Sequence, residues 1–405
     1  MSQAARGELI AALQPRYLAG SRSEKKRILD ELVATTGYHR KYAITLLTSR
    51  PKRGSRRRRA AKRKYLGPVV VALEKVWRIA NCICAKRLTP VLAEYVAALE
   101  RHGELRLDAE TKRLLLEMSP ASADRLLRRA RQAERPHGLS TTKPGTLLKH
   151  SIPIRTFAQW DDERPGFTEV DLVAHCGESA GGEYLHSLDM VDIATRWVEL
   201  AALPNRGQAA VSAEIAKCRA RLPFALLGLD SDNGSEFINA NLVRYCAEHK
   251  ISFTRSRPYK KNDQAHVEQK NWTAVRQIVG YDRYEGEAAY RALEALYVPV
   301  RLYLNFFSPV MVLRKSLRIF LGVSKERNGA KVTRRYDQAK TPYQRVLDSP
   351  HVGDKAKTRL RTQYLSLNPA ELLRQIEAGQ ERLWSLALLP TPSVISDHEA
   401  TIPLR

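Results

Sequence analysis

The chain has 405 residues, of which 43% are hydrophobic and 27% are charged, a composition typical of folded domains and not of a disordered chain. No apolar run approaches the roughly 18 residues of a membrane helix, and the N-terminus lacks the apolar core of a signal peptide. The five cysteines are too few, and odd in number, for a secreted disulfide scaffold. We therefore expect a cytoplasmic protein without a membrane partner.

The positive charge is concentrated near the N-terminus. The whole chain has 68 Lys and Arg against 43 Asp and Glu, a net charge of +25. Residues 1–150 hold 33 basic and 13 acidic side chains, or +20, whereas residues 151–322 hold 21 of each. A cationic third beside a neutral segment predicts a polyanion-binding module joined to a part with a different role.

The first 50 residues predict two short helices separated by a glycine turn. Ser23 is expected to cap a helix over about 24–35, and Gly37 is expected to end it. A second helix then begins near Arg40 and Lys41. This arrangement is typical of a helix-turn-helix, so we predict that Arg40 and Lys41 contact DNA, although any helical hairpin has the same pattern.

A basic tract follows, and such a density of charge predicts a solvated arm that lies along phosphates, with a nuclear-localisation signal as the alternative. Its predicted DNA contacts are Arg56, Arg57, Arg58 and Arg59.

A second helical segment then ends in a helix that Ser119 is expected to cap, with Pro120 at its first position. Arg125, Arg128 and Arg129 lie on its polar side and are predicted DNA contacts, with an ordinary solvated face as the alternative.

The neutral segment predicts strands and helices that alternate after three consecutive strands. The predicted strands are 167–174, 184–191, 197–203, 225–229 and 251–254, and the predicted helices are 208–221, 235–250, 263–280 and 286–306. This order indicates an α/β fold with a mixed five-stranded sheet and helices on both of its faces. A strand at 331–336 and a helix at 369–385 are expected in the C-terminal region.

Three acids in this segment are candidates for chemistry. Asp171 lies within the first strand, Asp232 directly follows the fourth, and Glu268 lies on a helix after 35 intervening residues. Acids on rigid elements that converge in this way can hold two divalent cations, which phosphodiester chemistry uses to activate one oxygen and stabilise another. Asp230 is an alternative to Asp232, and Asp192 is expected to have a structural or supporting role.

The residues around these acids carry a resemblance. Segment 232–237 reads DNGSEF, segment 167–177 reads FTEVDLVAHCG, and segment 261–271 reads KNDQAHVEQKN. With Glu268 at its spacing, these segments resemble the catalytic core of retroviral-type integrases and DDE transposases, in particular a bacterial insertion-sequence group. The resemblance covers residues 165–309 most strongly.

The resemblance implies a ribonuclease-H-like fold and transfer of a DNA 3′ end into target DNA. It makes Asp171, Asp232 and Glu268 the catalytic acids that bind two Mg²⁺ or Mn²⁺ ions. The implied partners are double-stranded DNA, as element ends and as target, and further copies of the chain in a homo-oligomer on DNA. The implied location is the nucleoid.

Other residues near these acids are assigned smaller roles. Asn233 and Gly234 are predicted to form a structural turn after the fourth strand. Lys260, Lys261 and Lys270 are predicted phosphate contacts. Trp272 shares the helix face of Glu268, where core packing is favoured over stacking on a base.

The resulting domain plan has six parts. They are residues 1–50 (helix-turn-helix), 51–65 (basic arm), 66–135 (second helical DNA-binding domain), 136–160 (linker), 161–322 (catalytic core) and 323–405 (C-terminal region). Two other functions stay open: a catalytically inactive DNA-binding repressor of the element, and a ribonuclease-H-like nuclease.

Overall fold

The computed structural model describes residues 2–49, 64–65, 67–133, 164–232, 234, 236–255, 267, 270–320 and 330–388. The chain divides into two compact units, Met1–Lys64 and Tyr65–Arg405. Within the described ranges, no helix combines the length and the apolar character that crossing a membrane requires.

The first unit contains three helices packed around a small apolar core. They are α1 (Gln3–Ala19), α2 (Arg22–Thr36) and α3 (Arg40–Thr48). Leu32, Ala43 and Leu47 are fully buried among them. The predicted helix pair is therefore present, and α1, which the sequence did not single out, completes its core.

The cap of α2 differs from the prediction. Ser21, and not Ser23, accepts a hydrogen bond from the Glu24 amide, and the Glu24 carboxylate accepts one from the Ser21 amide. This reciprocal capping box provides hydrogen-bond acceptors for two backbone amides that have none within the helix. A cap at Ser23 could not form such a box, because no glutamate lies three residues after it. Gly37 ends α2 with φ of 70°, as its position predicts.

The second unit begins with a helical segment. Its helices are α4 (Gly67–Ile79), α5 (Ala85–Leu88), α6 (Leu92–Arg101), α7 (Ala109–Leu116), α8 (Pro120–Leu126) and α9 (Arg128–Ala133). Ser119 caps α8 as predicted, by accepting from the Ser122 amide. The single basic helix expected here is instead two short helices that meet at the buried Leu127.

The sheet of the second unit confirms the predicted mixed five-stranded architecture. Its strands and helices are β1 (Phe167–Ala174), β2 (His186–Asp192), β3 (Val198–Leu203), α10 (Gln208–Arg221), β4 (Gly228–Ser231), α11 (Ala240–Glu248) and β5 (Ser252–Arg255). The strand order is β3-β2-β1-β4-β5, antiparallel among β1, β2 and β3 and parallel among β1, β4 and β5. Every residue of β2 and β3 is buried, so both faces of that part of the sheet are covered.

Two predicted boundaries around β4 are wrong. The strand lies three residues later than expected at its start and includes Asp230, which leaves Asp232 directly after it. The next helix starts at Ala240 and not near Ser235, because Asn239 caps it by accepting from the Leu242 amide.

The remaining elements follow the sheet. They are α12 (π-helical at Asn271–Arg276 and α-helical at Gln277–Val279), α13 (Gly286–Phe306), β6 (Leu313–Phe320), β7 (Ala330–Tyr336), α14 (Pro342–Asp348), α15 (Asp354–Ser366) and α16 (Pro369–Trp384). Strands β6 and β7 form a separate antiparallel pair. The expected C-terminal strand and helix are both present.

The helical segment packs directly on the core elements. The Tyr95 hydroxyl on α6 donates to the Phe307 carbonyl oxygen at 2.8 Å, and the Tyr303 hydroxyl on α13 donates to the Ile79 carbonyl oxygen at 2.7 Å. All four residues are buried. These helices share one apolar core with the sheet and with α16. The expected linker at 136–160 and the expected boundary at 323 lie outside the described residues.

Replacing Tyr95 with Phe tests the seam, by which we mean the contact of Tyr95 and Tyr303 with the carbonyl groups of Phe307 and Ile79. The Tyr95→Phe variant loses the only hydroxyl that the described residues offer to the Phe307 carbonyl, and an unsatisfied buried acceptor costs about 1–3 kcal/mol. We expect a loss of stability of that size in urea unfolding, against no change for Tyr42→Phe, whose side chain is exposed. Equal stabilities of the two variants would contradict the buried role of Tyr95.

Candidate active site

Two of the three predicted acids lie side by side. Strands β1 and β4 run parallel, and their last paired residues are Val170 and Ser231. Asp171 and Asp232 each come one residue later, at the same edge of the same strand pair. The charge of Asp232 is close enough to raise the pKa of Asp171.

The Asp171 carboxylate is held by two donors. One oxygen accepts from the Leu172 amide at 2.8 Å, and the other accepts from Nδ2 of Asn271 at 2.6 Å. Burial, and next the charge of Asp232, raise the pKa of Asp171 to about 7, although the Asn271 hydrogen bond opposes that rise. At neutral pH this carboxylate is thus poised between its charged and neutral forms.

The Asp232 carboxylate is fixed by the turn that follows it. Oδ1 accepts from the Gly234 amide at 2.8 Å. Burial raises the pKa of Asp232, and the nearby charge of Glu236 raises it further. A Cβ at position 234 would lie 2.6 Å from the Glu236 carboxylate and 2.9 Å from Asp232 Oδ1, so any side chain here would have to displace one of these two carboxylates. Asn233, its predicted companion, lies outside the described residues.

Glu268 also lies outside the described residues, but its neighbours in sequence are placed against β1. The Val267 amide donates to the Glu169 carboxylate at 2.9 Å, and Asn271 donates to Asp171. Among the described residues, no three His, Cys, Asp or Glu side chains form a metal-binding group. The described part of the site thus supplies two acids, and their oxygen donors and raised pKa values fit a hard divalent cation.

Lys270 is not the surface contact that the sequence predicted. It is buried, and it lies near Asp189, which is directly opposite Asp171 on β2. Burial lowers the pKa of Lys270 to about 8 and raises that of Asp189, while the charge of each group opposes the shift of the other. A side chain enclosed in this way cannot reach a DNA phosphate, so Lys270 instead compensates a buried acid beneath the site.

The core position favoured for Trp272 is also wrong. Its side chain is 46% exposed, while Ala274 and Val275 on the same helix are buried. The π-helical turn widens the helix here and changes which side chains face the sheet, so the regular 3.6-residue spacing used for the prediction does not apply.

The alternative acids have other partners. Asp192 is fully buried and accepts from the amides of Gly166 and Thr195 and from the Thr195 hydroxyl, which joins the start of β1 to the end of β2. Asp230 is also fully buried and accepts from the Thr254 hydroxyl at 2.5 Å. Asp192 and Asp230 therefore make hydrogen bonds within the sheet, and Asp171 and Asp232 are the acids at its edge.

The chain is similar to known proteins in its core and over most of its length. Residues 161–261 match the family model of the integrase core domain. An uncharacterized protein of Sinorhizobium fredii (strain NBRC 101917 / NGR234), y4rM, is 42% identical over 349 residues, which are 85% of this chain and 96% of that protein. The chain belongs to the DDE transposase and integrase family. The catalytic core domain of BIV integrase matches 46% of this chain and 96% of its own, with 20% identity and a TM-score of 0.30.

Membership in the DDE family sets the general role of the site. Integrase core domains belong to polynucleotidyl transferases that act on DNA in recombination and generally use divalent metal ions. The fold of this core is ribonuclease-H-like, as the sequence predicted.

The predicted DNA contacts of this DDE-family chain are placed unevenly. Lys41 is exposed on α3, whereas the neighbouring Arg40 forms an ion pair with Asp30. The other exposed basic predictions are Arg125, Arg128 and Arg129 on α8 and α9. Arg56, Arg57, Arg58, Arg59, Lys260 and Lys261 lie outside the described residues.

Sequence reasoning missed two residues of the site. Glu236 was part of the quoted motif but was given no role, although its charge acts on both acids. Asn271, which lies three residues after Glu268 in the quoted segment 261–271, was also given no role. Its spacing of three residues from that glutamate was the available signal, because residues three apart on a helix point in similar directions.

Replacing Asp232 with Asn tests the repulsion between the two acids. The folded pKa of Asp171 is raised, so the folded state carries the cost of two adjacent charges only as pH rises toward and past 7. In EDTA we expect Asp232→Asn to raise the melting temperature by about 2 °C at pH 8, and by less at pH 5. Thermal unfolding at both pH values measures this.

The control is Glu248→Gln, an exposed acid at the end of α11, for which no difference between the two pH values is expected. An equal effect of Asp232→Asn at pH 5 and pH 8 would show that the two carboxylates do not interact.

Proposed function

We propose that this protein is a transposase that cleaves DNA at the ends of an insertion element and joins the freed 3′ ends to target DNA. The observation that carries the proposal is the pairing of Asp171 and Asp232 at the edge of two parallel strands, each with a raised pKa. Two carboxylates held close together repel each other, and a cation between them removes this repulsion. The chemistry of DNA strand transfer uses divalent cations held in this way.

Each residue of the site has a part in this chemistry. Asp171, Asp232 and Glu268 would hold two Mg²⁺ or Mn²⁺ ions, which activate the attacking oxygen and stabilise the leaving oxygen when bound. Asn271 and the Leu172 amide fix the orientation of the Asp171 carboxylate, and the Gly234 amide fixes that of Asp232. The chain needs no covalent intermediate, since water and then a DNA 3′-OH are the nucleophiles.

DNA recognition is assigned to the N-terminal unit. Helix α3 follows α2 across the Gly37 turn and exposes Lys41, Tyr42 and Thr45, which suits entry into the major groove. The arm over 51–65 adds affinity for phosphates without sequence preference. Joining two element ends requires at least two copies of the chain on DNA.

The catalytic proposal is tested by strand transfer. With Mg²⁺ and DNA carrying the terminal repeats of the element, Asp171→Asn, Asp232→Asn and Glu268→Gln should each lower product formation by at least about 100-fold. Glu248→Gln, an exposed acid outside the site, should retain full activity. Gel analysis of labelled 3′ ends measures both cleavage and joining.

Several results would refute the assignment. Full activity of any of the three acid variants removes that acid from the site. Binding of element ends without cleavage in Mg²⁺ or Mn²⁺ would indicate a repressor, and preferential cleavage of RNA–DNA hybrids would indicate a nuclease.

The recognition proposal is tested by Lys41→Ala. The first residues of a recognition helix contact base edges, and one good contact is worth about 1–3 kcal/mol of discrimination. We therefore expect affinity for element ends to fall about tenfold, with little change on random duplex DNA of equal length. Lys217→Ala, which changes an exposed side chain on α10, is the matched control and should change neither affinity.

A further inference from the structure

Helix α15 lies on the surface of the second unit. Of its 13 residues only Leu360 is buried, and Ala356 and Tyr364 are half-buried beside it. Leu365 is the one large apolar side chain that α15 exposes. The outer face of this helix is otherwise polar, so its charges decide what it can bind.

The charge of α15 is positive and is not balanced by neighbouring acids. The helix has one acid, Asp354, at its first position, and four cations: Lys355, Lys357, Arg359 and Arg361. None of the four forms an ion pair with any residue that the structure describes. Exposed arginines of other helices differ, since Arg113 on α7, Arg291 on α13 and Arg374 on α16 each pair with acids three or four positions away.

The spacing of these cations works against the helix that carries them. Lys355 and Arg359 lie four residues apart, as do Lys357 and Arg361, and like charges at this spacing repel each other. Lys355 and Lys357 also lie in the first turn, where the positive end of the helix dipole disfavours cations, and the last turn has no cation. Cations placed at a cost and without a partner in the described chain indicate an anion outside it.

The four cations form two rows along the helix. With about 3.6 residues per turn, Lys355 and Arg359 follow one edge of the outer face. Lys357 and Arg361 follow the other edge, and the exposed Thr358 lies between the rows. The rows are about one helix width, roughly 10 Å, apart, which is similar to the groove widths of about 6–12 Å that separate the phosphates of two DNA strands. Two rows of cations thus fit a duplex better than the single phosphate row of one strand.

An anionic membrane is the other surface that a basic helix can bind. Helices that lie on membranes combine their cations with a broad apolar face that enters the lipid. The apolar side of α15, at Leu360, is instead buried in the protein, and Leu365 alone is exposed. The composition of the helix therefore favours DNA.

We propose that α15 binds the phosphates of duplex DNA without sequence preference, which gives the C-terminal region a part in holding DNA. Lys355 and Arg359 contact one strand, and Lys357 and Arg361 contact the other strand across a groove. The inference rests on the proposed function, in which the chain holds element ends and target DNA.

The experiment measures binding of the full chain in EDTA to a labelled random duplex, by fluorescence anisotropy at several salt concentrations. The double variant Lys355→Gln, Arg359→Gln removes one row of cations. At about 0.1 M salt it should bind about tenfold more weakly than wild type, and its slope of log affinity against log salt should be shallower by about two, because each phosphate contact contributes about 0.9 to that slope. The double variant Lys357→Gln, Arg361→Gln should show the same changes.

The double variant Lys217→Gln, Arg291→Gln is the matched control. It also removes two exposed helical cations, but these pair with acids and lie on α10 and α13. It should leave the affinity and the salt slope unchanged. Melting temperatures separate a binding role from a structural one, since removal of cations that repel each other should not lower the melting temperature of either α15 variant.

Several outcomes would overturn the proposal. They are an unchanged salt slope in the α15 variants, an equal loss of affinity in the control, an equal loss on single-stranded DNA of the same length, and a lower melting temperature of both α15 variants. Loss of binding to phosphatidylserine vesicles, with duplex binding unchanged, would assign α15 to a membrane instead.

The binding measurement is independent of catalysis, because EDTA removes the metal ions. Strand transfer by the wild type, with no effect of α15 on duplex binding, would refute this inference alone. Duplex binding that depends on α15, in a chain without strand transfer, would refute the proposed function alone.

Discussion

The site depends on the parallel pairing of β1 and β4. That pairing places Asp171 beside Asp232. The sheet therefore holds two carboxylates close together although their negative charges repel each other. The surrounding contacts are responses to this constraint. Amides of Leu172 and Gly234 and the side chain of Asn271 donate to the two acids, and each contact orients a carboxylate while it offsets part of the charge.

The constraint extends below the site through neighbouring acids. Glu169 and Asp171 lie two residues apart on β1, and Asp189 faces Asp171 from β2, so the three share one face of the sheet. The described residues next to Glu268 in the sequence contact all three acids, through the Val267 amide, the Asn271 side chain and the buried Lys270. These residues are therefore held against the strands by polar contacts, and Ala274 and Val275 of α12 add apolar packing.

How far the sequence predicts this structure depends on the range of the interactions. The strand β1, the helix α13 and the position of Asp232 after a strand follow from local hydrophobic patterns and were predicted correctly. The exposure of Trp272 was not, because a π-helical turn changes which side of the helix meets the sheet. The burial of Lys270 was not predicted either, because its partner Asp189 lies on a strand distant in the sequence. The contact of Tyr95 with Phe307 joins residues more than 200 positions apart, and no local sequence pattern predicts it.

The seam formed by Tyr95 and Tyr303 affects how this protein can be recombined with its relatives. Each tyrosine reaches across to a backbone carbonyl of the opposite part, at Phe307 and at Ile79, so both sides must keep their main-chain course for the pair to form. A chimera joined between residues 133 and 164 would take the two sides of the seam from different proteins, and both of these contacts would have to form between them. A crossover before Tyr65 would leave the seam intact, so the N-terminal unit can be exchanged while the core and its helical segment are inherited together.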